Sequence, residues 1–347
     1  MAIFSTPKKA WATLITKPSY IAGVLTLYRT LQAISTYPLV AMVTDTLPES
    51  CRALMRAVGI VIVEIPHLSP SASQHSGKFD PKFSRFSDTW TKLGVFGLVD
   101  YERIIMIDAD MIFLRPMDEL FEMELPGPGW IAATPACVCN ALEIASYPDD
   151  WIPDNCSYNL QSHPTTIDSP PLPTRDGKRT SHLLNSGLVI LEPSADLFTT
   201  LVHHLNTSPT IASMKFPDQD FLAEVFMGKW KPLPWWCNAL KTGRAVHPDL
   251  WQDSEIRLIH YILDKPWTTR TTLSLPAERT IARTSASKYS RDPVPRLSQA
   301  VRHTPEQESV SDYDGLHAWW WIAYDAMIEE MKAEGRDWKY VEATLTL

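Results

Sequence analysis

The sequence predicts an α/β domain with a mainly parallel central sheet, flanking helices and a C-terminal helical region. Three observations predict it. Over the first hundred residues, short apolar runs alternate with segments of helical period. The run Arg103-Ile-Ile-Met-Ile107 has no polar alternation, as expected of a central strand buried on both faces. The 347 residues are 45% hydrophobic and 21% charged, an ordinary globular balance that supports a sizeable core. Such a length also accommodates two domains, but one α/β domain with insertions reaches it and is preferred.

The elements follow in order. Trp11 to Thr16 reads as a first strand. After Pro18, residues Ile21, Val24, Leu25, Tyr28 and Leu31 share one helix face. Leu39 to Thr44 is a second strand, Glu49 to Val58 a helix stopped by Gly59, and Ile60 to Ile65 a third, β-branched strand. Strands separated by helices of this length imply parallel pairing, and such sheets bind ligands at the carboxyl ends of their strands. A helix through Trp90 to Leu98 leads into the central strand, whose carboxyl end carries Asp108-Ala109-Asp110. Trp130 to Thr134 and Leu188 to Leu191 read as further strands, separated by an insertion that includes Ser169-Pro-Pro-Leu-Pro173. Residues 268–311 are rich in Ser, Thr, Arg and Pro without a period, and are expected to contribute little core. A last helix, about Tyr313 to Glu334, carries Leu316, Trp320, Ala323, Met327 and Met331 on one side. Trp319, Trp320 and Trp321 cannot all face one core on a single helix, so at least one is expected at a surface, an interface or a cleft.

The net charge of −8 is scattered, which leaves no basic surface for a nucleic acid. No run reaches the length of a membrane span and no leader pattern opens the chain, so a cytoplasmic protein without a membrane partner is expected. Five cysteines, Cys51, Cys137, Cys139, Cys156 and Cys237, contain no C-x-x-C pair, and their spacing reads as reduced thiols rather than a zinc site.

Three D-x-D triplets occur, and such triplets are common by chance. Only Asp108-Ala109-Asp110 follows a buried strand, whereas Asp218-Gln219-Asp220 opens a helix and Asp312-Tyr313-Asp314 borders a polar loop. Two carboxylates one residue apart at a strand end can converge on a hard cation that bridges phosphates, and helix or turn capping is the competing role. His260 follows another short apolar run, Arg257-Leu-Ile259, which is expected to place its imidazole near the same sheet edge. Histidine with two carboxylates suits Mn²⁺. Lys265, beside Pro266 and Trp267, can neutralise a departing diphosphate. Each of these residues also has a bland reading, as a satisfied core histidine or a solvated lysine.

The ordered set of motifs resembles the retaining sugar-nucleotide transferases of glycosyltransferase family 8, across most of residues 10–267. Thr13-Leu14-Ile15-Thr16 with Tyr20, Gly23 and Leu27 is similar to the family's first strand and helix, which receive the uridine. Thr91-Lys92-Leu93 resembles its lysine-bearing helix. Asp108-Ala109-Asp110 with Leu114 to Phe121 resembles its metal motif, and Leu184-Asn185-Ser186-Gly187-Leu188 its donor and acceptor strand. Asp218-Gln219-Asp220-Phe221-Leu222 resembles a later helix start, and His260-Tyr261 with Lys265-Pro266-Trp267 the late metal and diphosphate motif. The segment from Ala133 to Asn155, with Cys137 and Cys139, is closer to galactinol synthases than to glycogenin.

The resemblance implies a GT-A-type domain over 10–267, while composition and helical period beyond it imply a poorly packed linker or insertion over 268–311 and a C-terminal helix over 312–347 packed on the domain. It implies transfer of a hexose from UDP-glucose or UDP-galactose to a small polyol or sugar, with Mn²⁺ held by Asp108, Asp110 and His260. Leu14, Thr16, Tyr20, Lys92, Asp108, Ala109, Asp110, Asn185, Ser186, Gly187 and Lys265 would line the donor site. Asp218, Gln219 and Lys92 would act nearest the reacting carbon. Retention implies either a double displacement or a same-face attack assisted by the departing phosphate. A homodimer is compatible with this reading. Two departures stand out: Lys215 replaces an aspartate of glycogenin, and Leu263 or Asp264 stands where members commonly have a glycine. A catalytically idle sugar-nucleotide binder is the alternative. A haloacid dehalogenase-type phosphatase would need its D-x-D on the first strand, with Thr or Val where this chain has Ile112.

Overall fold

The computed structural model describes residues 9–71, 81–271 and 313–346. Its strands are β1 (Lys9–Ile15), β2 (Leu39–Val43), β3 (Val61–Glu64), β4 (Arg103–Ile107), β5 (Met111–Phe113), β6 (Ile131–Pro135), β7 (Leu184–Leu191), β8 (Trp230–Pro232), β9 (Ala239–Leu240) and β10 (Leu258–His260). The helices used below are α1 (Ile21–Gln32), α2 (Glu49–Val58), α3 (Ala195–Thr207), α4 (Pro217–Val225), α5 (Gly243–Val246) and α6 (Asp314–Ala333). The linker expected over 268–311 falls mostly outside the described residues.

Seven strands form the main sheet in the order β3-β2-β1-β4-β7-β6-β8. Pairing is parallel except on both sides of β7, which runs against β4 and β6. The alternating strands and helices of the first half thus produce the parallel block that their spacing predicts. β7 is reversed because the 136–183 insertion, with no crossover helix, returns the chain from the carboxyl end of β6. Every residue of β2 and β6 is buried, and β4 is buried from Ile104 onward. Gly59 closes α2 at φ 101°, its N–H reaching the carbonyls of Met55 and Arg56. The segment expected to be helical around Trp90 is a three-ten helix, Pro81–Gly97. Trp11 meets Phe113 and Phe121 edge-on, at centroid distances of 5.0 and 5.1 Å, which joins the main sheet to what lies beneath it.

A second sheet, β5-β10-β9, carries His260, so the run before it is not an edge of the main sheet. α6 packs on α1, with the Arg29 guanidinium paired to Glu330 at 2.8 Å and the Tyr261 hydroxyl donating to the Leu316 carbonyl at 2.9 Å.

Trp319, Trp320 and Trp321 are all buried, which overturns the expectation that one of them would be exposed. α6 is covered on more than one side. The Trp321 indole N–H donates to the Thr269 carbonyl at 3.1 Å, and Arg270 lies 4.2 Å over its ring. Trp320 sits between Trp267 and Tyr324. The segment 266–270 therefore covers the face that a one-sided helix would leave to solvent. Among the described residues, no helix is long and apolar enough to cross a membrane.

Candidate active site

The carboxyl end of β4 brings the first carboxylates into place. The Asp108 N–H donates to the Gly187 carbonyl on β7 at 2.9 Å, and the chain then turns through Asp110 into β5. β5 pairs antiparallel with β10, with Met111 opposite His260, and the Tyr261 N–H donates to the Asp110 carbonyl at 2.9 Å. Short-range pairing thus joins residues 150 positions apart in the chain. His260 Nε2 lies 3.4 Å from Asp110 Oδ1 and 3.7 Å from Asp108 Oδ2. Glycine is required next to it, since a Cβ on Gly187 would fall 2.4 Å from His260 Cε1.

The tautomer of His260 is set by a residue that sequence reasoning missed. Its Nδ1–H donates to Asn238 Oδ1 at 2.9 Å, which leaves Nε2 as the ring nitrogen that faces the two carboxylates. The amide of Asn238 donates in turn to Asn185 Oδ1 at 2.7 Å and Thr134 Oγ1 at 3.0 Å. Asn185 accepts the Gly187 N–H at 3.0 Å and donates to Gln219 Oε1 at 3.2 Å. A chain of amides therefore runs from the histidine to Gln219, each oriented by the next. Asn238 follows two tryptophans and a cysteine in a stretch that reads only as core.

Lys92 bridges two of the acids: its Nζ lies 2.6 Å from Asp108 and 2.9 Å from Asp218, and Asp218 also accepts from the Ser186 hydroxyl at 2.8 Å. Burial pulls the Lys92 ammonium down, but Asp108 and then Asp218 more than offset this and hold it above the lysine range. Burial pushes Asp218 up, yet Lys92 holds its carboxyl below the usual range. Asp110 behaves likewise, raised by burial but kept well below that range by the Lys265 ammonium. The Lys265 ammonium donates to Asp110 and, at 3.1 Å, to the Tyr261 carbonyl. Three carboxylates (Asp108, Asp110, Asp218) and two lysines (Lys92, Lys265) leave one net negative charge in this layer.

These groups form the floor of a cleft of about 520 Å³. Leu14, Thr16 and Tyr20 line it, and Tyr20 is braced edge-on against Trp267 at 5.4 Å. Ala109, Asn185, Ser186, Gly187 and Gln219 line it too, so every residue expected at the site reaches one cavity. Residues of the 136–151 segment, including Asn140, Tyr147 and Trp151, complete the lining.

Known proteins share the sequence pattern and the fold of this chain. The profile of Glycosyl transferase family 8 matches residues 13–271. The chain belongs to this family. It is 28% identical to galactinol synthase 1 of Solanum lycopersicum over 251 residues, 72% of this chain and 70% of that one. It is 26% identical to galactinol synthase 1 of Ajuga reptans over 266 residues, 75% of this chain and 74% of that one. An active-site mutant of LgtC superposes with TM-score 0.51 at 16% identity, over 74% of this chain and 89% of that one. The glycosyltransferase GlyE of Streptococcus pneumoniae does so with TM-score 0.50 at 14% identity, over 94% of this chain and 65% of that longer one. These structural likenesses concern the fold, which is of GT-A type, and the protein is a glycosyltransferase.

Both positions singled out as departures in the sequence have a structural counterpart. Of Leu263 and Asp264, the two residues standing where the resemblance implies a glycine, Leu263 has φ 67°, in the left-handed region. The backbone keeps a conformation suited to glycine although the side chain is not one. Lys215 donates through its ammonium to the Ser146 carbonyl at 2.7 Å, tying the start of α4 to the cleft wall.

Proposed function

We propose that this glycosyltransferase moves a hexose from a UDP-sugar, UDP-galactose or UDP-glucose, to a hydroxyl of a small polyol or sugar, with retention of configuration and dependence on Mn²⁺. The observation that carries the reading is the convergence of Asp108, Asp110 and the Nε2 lone pair of His260 at the floor of the cleft, with the tautomer fixed by Asn238. The donor set fits the ion, since carboxylate and imidazole are both acceptable to Mn²⁺. When bound there, the cation would supply charge neutralisation for the diphosphate of the leaving UDP. It would also turn the net charge of the layer from −1 to +1.

The chain's own residues do the rest. Leu14, Thr16 and Tyr20 form a half-buried wall for the uridine. Lys265 is placed to transfer its hydrogen bonds from Asp110 to diphosphate oxygens. Lys92 keeps Asp218 ionised and holds the Asp108 carboxylate in place at 2.6 Å. Gln219, fixed by Asn185, offers its amide N–H to the transferred sugar. Asp218 is already engaged by Lys92 and Ser186 and is only 6% exposed, which favours same-face attack over a covalent intermediate on that carboxylate. Tyr147, Trp151 and Asn140 give the acceptor side apolar faces with a polar anchor, which suits a cyclic polyol or a sugar. The galactinol synthases among the relatives favour UDP-galactose. In this reading residues 10–267 form the transferase unit, and α6 buttresses it through α1.

The test is UDP release from UDP-galactose and UDP-glucose, with and without Mn²⁺, against inositol, small sugars and no acceptor. Product anomers are then assigned by NMR. Acceptor-dependent, Mn²⁺-dependent release with retained configuration is expected. UDP binding with no turnover on any pair would instead favour an idle sugar-nucleotide binder.

A further inference from the structure

Three cysteines and a histidine outside the catalytic layer meet at one point. Cys137 and Cys139 follow β6, Cys156 lies within the insertion after a short three-ten turn, and His247 ends α5. Sulfurs of Cys137, Cys139 and Cys156 lie 3.4, 3.3 and 3.4 Å from His247 Nε2, and the Cys137 and Cys156 sulfurs are 4.0 Å apart. All four ligand atoms lie within 4.8 Å of one another.

Ordinary thiol chemistry does not account for this arrangement. An imidazole nitrogen has one in-plane direction for a hydrogen bond, so three sulfurs cannot all be satisfied by Nε2. A disulfide needs sulfurs at about 2.05 Å, half the separation of the Cys137–Cys156 pair. A tetrahedral zinc centre, with Zn–S near 2.3 Å and Zn–N near 2.0 Å, has S···N edges of about 3.5 Å and S···S edges of about 3.8 Å. The observed separations match those edges. Cys139 and Cys156 are buried, and the ring of Tyr158 leans on His247 at 5.4 Å, so the point is shielded from bulk water.

We propose that Cys137, Cys139, Cys156 and His247 bind one structural Zn²⁺. Three thiolates and an imidazole select zinc over the hard cations suited to Asp108 and Asp110, so the two sites would not compete for one ion. Four protein ligands close the coordination sphere and leave no open position for chemistry. The ion joins the 136–156 stretch, which carries Asn140, Tyr147 and Trp151, to α5, whose Val246 lines the same cleft. It thus fastens the part of the cleft lined by Asn140, Tyr147 and Trp151, in a segment that has no strand of its own. Neither C-x-C nor a histidine 91 positions beyond Cys156 matches a finger spacing, so the sequence reads as four unrelated residues.

Metal analysis of the full chain, purified without chelator or added metal, tests this. One zinc per chain is expected, retained on dialysis and in Asp110→Asn, and unchanged in Cys51→Ser, whose thiol lies outside the cluster. Cys139→Ser and His247→Ala are expected to fall below about a tenth of an equivalent. Should either variant fail to fold, the wild-type protein still decides. A thiol-specific mercurial should release its zinc, and cobalt exchanged into the site should give the visible spectrum of a tetrahedral thiolate centre. Wild-type protein with less than about a tenth of an equivalent of zinc, iron in its place, a Cys137–Cys156 disulfide in the intact mass, or full zinc in folded Cys139→Ser would each overturn the proposal.

Discussion

The side-chain carbonyl of Asn238 accepts the Nδ1–H of His260 at 2.9 Å, with both residues buried. Without that acceptor the ring can place its proton on Nε2, which then points a donor at Asp108 and Asp110 instead of a lone pair. Asn238→Ala is expected to weaken Mn²⁺ binding by about 10- to 100-fold, the usual effect of losing a ligand's orienting partner. It also strands the amide partners on Asn185 and Thr134, at a cost of about 1–3 kcal/mol in stability. Asn238→Asp keeps the acceptor and should recover part of the metal affinity. Mn²⁺ titration followed by electron paramagnetic resonance checks this, and equal affinity in wild type and Asn238→Ala would remove Asn238 from the site.

Asp110 was legible in the sequence because it closely follows the run that forms β4, at the sheet end where ligands bind, and His260 because it ends an apolar run, although that run forms β10 of the second sheet. Asn238 was not, since its role depends on β9 lying beside β10, and the two-residue β9 leaves no periodic signal. The direction of β7 was hidden for a related reason: an insertion without a crossover helix leaves open which way the next strand runs. The tryptophan run misled because helical periodicity reports one buried face, whereas the second cover on α6 comes from residues 266–270. Local pattern thus located the residues whose position follows from their own element. It missed those whose role is set by a partner distant in sequence.

Sharing of one cation makes the effects of Asp110 and His260 interdependent. Asp110→Asn and His260→Ala should each lower metal-dependent turnover by orders of magnitude, since either removes a ligand from the ion facing the diphosphate. The double variant should lose little more than the worse single one, because two ligands of one site act as a unit. Turnover and Mn²⁺ affinity of all four proteins check this. A double loss equal to the product of the single losses, with Mn²⁺ affinity intact in both singles, would separate the two residues.

Leu263 holds φ 67°, a conformation that costs a residue with a Cβ about 1–2 kcal/mol. A β-branched side chain fits it worst and asparagine fits it well. Leu263→Val should therefore destabilise the protein by about 1–2 kcal/mol, whereas Leu263→Asn, despite losing a half-buried apolar group, should stay within about 1 kcal/mol of wild type. Urea unfolding of the two variants measures the difference. Equal stability would show that the loop relaxes out of the left-handed region at little cost. Because Leu263 lies two residues before Lys265, UDP affinity reports separately whether the loop's conformation matters to the ligand.

Beneath that loop, the ammonium of Lys241 is fully buried and reaches His317 Nε2 at 3.0 Å and Asp264 Oδ1 at 2.6 Å. Burial, and then the Lys241 charge, push His317 down from 6.5 to about 4, so the folded protein keeps it neutral as an acceptor for Lys241. Between pH 6.5 and about 4 the unfolded chain takes up a proton on this histidine that the folded chain refuses. Stability therefore falls as pH falls through that window, by at most about 3 kcal/mol from this group, and the contribution is constant above it. Asp110 and Asp218 are held low by their lysines, so what they contribute persists down to about pH 4 and is lost only below it. The window thus isolates the histidine from the site carboxylates. His317→Gln keeps an acceptor for Lys241 but cannot titrate, and its stability should fall less steeply between pH 7 and 4.5 than that of wild type. Urea midpoints at both pH values measure the slopes, and parallel slopes would show that His317 is protonated alike in folded and unfolded chains.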